Sequence, residues 1–167
     1  METMFLKRFC LPSNTDLHDF KSNNMVASNC ICGNYFHVSC IFQGKYNILS
    51  IGINKYTDVD GTMPSIHAEH DAILRLPYLK NKKKLVKINL LVIRFLKTYT
   101  LANSKPCYKC IQNMIDIPKK RGYKIEDIYY SENSETIIKT NINKLLNEPV
   151  HHVTSYYRNN RYVYRHK

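Results

Sequence analysis

Two short stretches, far apart in the chain, constrain it more than anything else in the sequence. They are Ser65-Ile66-His67-Ala68-Glu69-His70-Asp71-Ala72-Ile73 and Ser104-Lys105-Pro106-Cys107-Tyr108-Lys109-Cys110. Together they offer one imidazole and two thiols, a ligand set for tetrahedral zinc. Three protein ligands leave a fourth position for water, which is the pattern of a catalytic site rather than a closed structural one. Cys107 and Cys110 stand three apart, so a helix carries them on one face, and Pro106 suits a first helical turn. Ser65 is expected to cap the helix that holds His67 and Glu69. Glu69 lies too close to His67 to share the metal easily, but it can lean over the bound water. At helix N-termini the dipole favours thiolate over thiol.

The combination His67-x-Glu69, then Pro106-Cys107-x-x-Cys110, resembles the zinc-dependent nucleoside and nucleobase deaminase superfamily. Gly52-Ile53-Asn54 and Ile128-Tyr129-Tyr130-Ser131 are similar to that family as well, and the likeness covers roughly residues 25–145. The resemblance implies Zn2+ as cofactor, held by His67, Cys107 and Cys110. It implies hydrolytic deamination of a cytosine-bearing nucleoside or nucleotide, with zinc hydroxide attacking the amino-bearing carbon and Glu69 shuttling the proton. It also implies substrate contacts from Asn54, Ala68, Lys105 and Tyr130, the Lys105 carbonyl matching the position that holds the leaving amine. Of Tyr129 and Tyr130, strand alternation sends one to the pocket side and the other to the core. Family enzymes often assemble as dimers or tetramers, so a homo-oligomer is the matching expectation.

With 167 residues, 44% of them hydrophobic, the chain has the length of one domain with a real core. A cytidine deaminase-like domain is expected over 16–150, behind an N-terminal arm at 1–15 and ahead of a basic aromatic tail at 151–167. No run of about 18 apolar residues exists, so no membrane span is expected. Met1 to Phe9 lacks the apolar centre of a signal peptide. Two of the six cysteines belong to the metal motif. A reducing, intracellular setting follows, cytoplasmic or nuclear. The formal charge of +12 attracts polyanions, nucleic acid or nucleotide phosphates among them. An AT-rich coding sequence would give the same abundance of Asn, Lys, Ile and Tyr, so charge alone does not choose a substrate.

The expected fold class is α/β, a three-layer α/β/α sandwich around a five-stranded mixed sheet. A first helix is expected over 16–29 and strands over 35–42 and 47–54, joined by a hairpin turn at 43–46. The polar loop 57–64 leads into the first metal helix, which Pro77 helps to end. Ile88 to Phe95 is the most apolar run and reads as the central buried strand. Cys107 to Pro118 reads as a helix with Ile111, Met114 and Ile115 inward, ended by Lys119-Lys120-Arg121-Gly122. Strands follow over 124–131 and 136–142. The connection between them is too short for a crossover helix, so they should be antiparallel. Within the superfamily that arrangement resembles the free-nucleoside branch, whereas a histidine as first ligand looks more like the deoxycytidylate and nucleic-acid deaminases. A short helix over 143–148 precedes the tail.

Beyond Pro149 the tail interleaves His151, His152, Tyr156, Tyr157, Arg158, Arg161, Tyr162, Tyr164 and Arg165. Such a segment suits base stacking and phosphate contact, or is an ordinary exposed terminus. Cys30 and Cys32, with His18 or Cys40, could hold a second zinc, although buried thiols account for them more simply. His37 reads as a packed strand histidine and His70 as a rim residue. Two competing functions fit the same motifs: a polynucleotide cytosine or adenine deaminase, and a non-catalytic, zinc-stabilised nucleic-acid-binding protein.

Overall fold

The computed structural model describes residues 35–44, 47–55, 65–80, 84–98 and 100–154. The expected arm and first helix, the loop 57–64, and Cys30, Cys32 and His18 lie outside these residues, as do residues 155–167 of the tail.

The sheet is built around β3, Val86–Leu96. Its alternate residues feed two cores. Ile88, Leu90 and Val92 point to one face and Leu91, Ile93 and Phe95 to the other, all of them buried. Both faces of a central strand are covered, so Leu90, Leu91, Val92 and Ile93 follow one another without a polar gap. Each fully buried side chain there contributes about 2 kcal/mol of transfer free energy. β1, Tyr35–Gln43, runs antiparallel beside β3. β2, Asn47–Ile53, pairs antiparallel with β1 and forms the edge. On the other side β5, Tyr123–Ser131, runs parallel to β3, and β6, Ile137–Thr140, closes the sheet antiparallel to β5. The β5–β6 turn is tightened by Asn133, whose Oδ1 accepts from the Glu135 and Thr136 amides at 2.9 Å each.

The architecture is therefore a mixed α/β sheet flanked by helices, as expected, but with six strands rather than five among the described residues. The additional strand, β4, is only Leu101–Ala102, folded back antiparallel on Arg94 and Phe95 of β3. Three helices contribute to the core on the Leu90 face: α1, Ala68–Leu74; α2, Tyr108–Lys120; and α3, Ile142–Leu146. The second cluster, Cys40, Phe42, Leu91, Ile93 and Phe95, lies on the opposite face. Among the described residues no helix is long and apolar enough to cross a membrane.

Two details depart from expectation. α2 runs past Pro118 to Lys120 before Gly122, at φ 92°, supplies the left-handed residue that ends it where a glycine was expected. Ile115 is 40% exposed, because the inward stripe of α2 is Cys110, Ile111, Met114 and Pro118.

Candidate metal centre

α1 begins one residue after His67. Ser65 does not cap it. Ile66 pairs back to Lys55 through two backbone hydrogen bonds of 3.0 and 2.8 Å, which hold the chain extended until His67. His67 is the N-cap residue, its carbonyl accepting the Asp71 amide at 3.0 Å, and it makes no side-chain cap. The helix lies close against β2. A Cβ on Gly52 would collide with the Ala72 amide nitrogen and the Ala68 carbonyl, so a glycine is required at that contact. Asp71 fastens the same edge: its carboxylate meets Lys55 Nζ at 2.7 Å and Arg75 Nε at 3.0 Å, and accepts the Ile53 amide at 3.2 Å.

Cys107 is likewise the N-cap of α2, with no side-chain cap, and Cys110 follows on the same face. The loop that delivers them is held by two buried serines that sequence reasoning did not single out as site residues. Ser104 Oγ donates to the Val92 carbonyl at 2.8 Å and accepts the Ser131 amide at 2.9 Å. Ser131 Oγ donates to the Ala102 carbonyl at 2.6 Å and accepts the Arg94 amide at 3.3 Å. The Ser104 amide donates to the Ser131 carbonyl at 2.8 Å. β3, β4, β5 and the approach to Cys107 are thus tied at one point.

His67 Nδ1 lies 3.3 Å from Cys110 Sγ and 3.5 Å from Cys107 Sγ, and the three donor atoms fall within 4.8 Å of one another. Ligands at about 2.0 Å (nitrogen) and 2.3 Å (sulfur) from a tetrahedral ion stand about 3.5 Å apart. The group could therefore hold a metal ion. Among the described residues it has three members; His70, half-buried beside Lys109, is not one of them.

Cys110 hydrogen-bonds Cys107, and that contact, with His67, holds the Cys107 thiol down at about 4 despite its burial. Cys110 is pushed up by the same contact and by burial. Burial opposes a charge on His67, but the hydrogen bond and charge of Cys107, with Glu69, outweigh it and raise the imidazole to about 9. His67 and Cys107 are thus held as an imidazolium–thiolate pair beside the neutral Cys110 thiol, and a cation binding these ligands displaces their protons.

Glu69 is 3% exposed, and burial raises its carboxyl above the usual range against the opposing pull of His67. Its Oε2 is buried without a hydrogen-bond partner among the described residues. Leaving a buried carboxyl oxygen so costs on the order of 1–3 kcal/mol.

The other expected contact residues are distributed around this group. Asn54 clamps the end of β2 to β1: its Oδ1 accepts the His37 amide at 2.6 Å, and its own amide donates to the His37 carbonyl at 3.2 Å. His37 is half-buried opposite Arg94, and desolvation, Arg94 and His67 together lower it to about 4, so it is a neutral packed histidine at neutral pH. Ala68 is fully buried against Gly52. Lys105 Nζ pairs with Glu148 at 2.6 Å. Tyr130 belongs to the same buried cluster as Cys107 and Cys110, whereas Tyr129 lies on the opposite face against Phe42. Cys40 also lies on that far face, away from the metal group.

No protein-family model matches the chain, and no curated protein matches it.

Proposed function

We propose that the chain is a zinc-dependent hydrolytic deaminase acting on a cytosine-bearing nucleoside or nucleotide. One observation carries the reading: a buried glutamate carboxyl, its Oε2 without a hydrogen-bond partner among the described residues, stands beside a three-member His/Cys/Cys group. The donor set, two thiols and one imidazole, suits zinc among the common divalent ions. When bound there, zinc supplies a Lewis acid that makes a water acidic near neutral pH.

The chain's own residues do the rest. His67, Cys107 and Cys110 hold the ion at the meeting point of two helix starts. Glu69 would take a proton from the attacking water and hand it to the ring nitrogen; it would then take the remaining proton of the newly added hydroxyl and pass it to the amine, so that the carbonyl forms as ammonia departs. Its upward shift through burial favours that exchange, because an ordinary carboxylate is too weak a base to take a proton near neutrality. The resemblance of His67-x-Glu69 and Pro106-Cys107-x-x-Cys110 to deaminase motifs supports the reaction class, and the antiparallel β6 supports a nucleoside or nucleotide substrate.

The test is ammonia release by zinc-loaded protein from a panel of cytosine and adenine nucleosides, their monophosphates and short oligonucleotides. The expected result is turnover of a cytosine substrate, abolished in Glu69→Gln with zinc content unchanged. No turnover on any member at full zinc occupancy would leave a structural zinc site instead.

A further inference from the structure

Cys107 stands between two residues that the chain grips again beyond α3. On one side Lys105 Nζ pairs with Glu148 at 2.6 Å. On the other the Tyr108 amide donates to the His152 carbonyl at 3.0 Å, and the rings of Tyr108 and His151 stand 4.8 Å apart, inclined by 40°. Tyr108 is the first residue of α2, and the amides of a first helical turn have no partner within their own helix. The Cys107 side chain does not cap them. The His152 carbonyl takes one of them instead. The strap that brings it there, Glu148 to His152, is rooted by α3, whose Leu145 is buried in the same core as Ile111 and Met114.

We propose that Glu148 and His151 are positioning residues for the metal ligand Cys107, and that the strap they lie on is the latch through which the ion enters and leaves. A bound ion departs only when a ligand detaches from it. Cys107 sits at a helix end, where local opening costs least, whereas Cys110 lies one turn inside α2. The strap holds that end from both sides. Its release frees the first turn to fray and the Cys107 thiolate to swing away; its return locks the thiolate in place. Holding of the metal and docking of the strap are therefore coupled, and each strengthens the other. The inference rests on the reading of His67, Cys107 and Cys110 as metal ligands, and is independent of the reaction proposed for the bound ion.

The experiment loads the full chain and its variants with zinc, adds excess chromogenic chelator, and follows the rate of zinc release while circular dichroism reports the fold. Glu148→Gln removes a partly exposed ion pair and should speed release about threefold. Glu148→Gln with His151→Ala should speed it about tenfold, with zinc affinity falling in step. Lys105→Glu sets two carboxylates against each other and should also speed release, and adding Glu148→Lys should restore the original rate by reversing the pair. Lys87→Gln, which breaks the exposed pair with Glu126 elsewhere on the sheet, should leave the rate unchanged. Release from the folded Glu148→Gln, His151→Ala double variant at the original rate overturns the latch. So does failure of the reversed pair to restore the rate, or an equal acceleration in Lys87→Gln, which would make the effect one of general stability. Ammonia release is read in parallel. Turnover with strap-independent zinc release defeats the latch alone. Strap-dependent release without turnover of any substrate defeats the deaminase reading alone. No zinc uptake by the full chain defeats both.

Discussion

His67 and Cys107, 40 positions apart, occupy the same place in their respective helices. Each is an N-cap residue with φ −73°, at ψ 152° and 161°, and neither side chain caps its helix. An N-cap side chain ordinarily turns back to an amide of the first turn. Here imidazole and thiol turn toward each other, 3.5 Å apart. Both helix starts forgo a capping bond at the group that could hold a metal ion.

That sacrifice predicts opposite signs with and without metal. Cys107→Ser restores a preferred N-cap residue, so in the presence of chelator it should be neutral or stabilising by about 0.5–1 kcal/mol. With zinc present the same variant should be the less stable protein, because it loses linkage to bound metal. Urea unfolding of both proteins, with zinc and with chelator, reads the sign directly.

The serine pair should behave as one unit. Ser104→Ala or Ser131→Ala removes a hydroxyl and leaves buried backbone groups unpaired, at a cost of about 1–3 kcal/mol each. The double variant should cost clearly less than the sum, since the two share partners. Additive losses in a denaturation cycle would mean the hydroxyls act separately.

Gly52→Ala tests how closely α1 must approach β2. The new methyl meets backbone on both sides rather than a yielding side chain, so a loss of about 1–3 kcal/mol is expected, at the upper end of overpacking effects. Zinc affinity should fall with it, because α1 carries His67. Ile51→Ala, 43% exposed on the same strand, serves as a control and should be nearly silent.

Much of this arrangement was legible in the sequence, for identifiable reasons. The strands announce themselves because the middle of β3 is an apolar run and β1 is rich in aromatic and β-branched residues, and the short β5–β6 connection leaves only an antiparallel pairing. The metal group was legible because its spacing is chemical: two cysteines one turn apart, and a histidine two positions from a glutamate. β4 was not legible, since two residues carry no period. Ser65 has the right chemistry for a cap, but the pairing of Ile66 with Lys55 decides where α1 begins, and that contact is not written locally. Ser104 and Ser131 are 27 positions apart and ordinary in type; only the fold makes them neighbours. Asn54 illustrates the same limit, because its carboxamide oxygen is already engaged by the His37 amide.

Cys40 gives a pH-dependent prediction away from the metal. Burial pushes its thiol up to about 11 from the ordinary 9.0. The folded state therefore keeps it protonated where the unfolded state ionises. Its contribution to stability is complete below pH 9, and is lost as pH rises from about 9 toward 11. Cys40→Val should remove that part of the alkaline loss. In the native protein Cys40 should also alkylate about a hundredfold more slowly than an unfolded thiol at equal pH, since the thiolate is the reactive form. Mass-resolved alkylation rates check this.

The central claim is that one metal is held by His67, Cys107 and Cys110, with the remaining position left to a light ligand beside Glu69. X-ray absorption at the zinc edge of the loaded protein measures this most directly. The account predicts two sulfurs at about 2.3 Å and two nitrogen or oxygen atoms at about 2.0 Å, with the sulfur count falling to one in Cys110→Ser. A shell of three or four sulfurs, or one without sulfur, would contradict it.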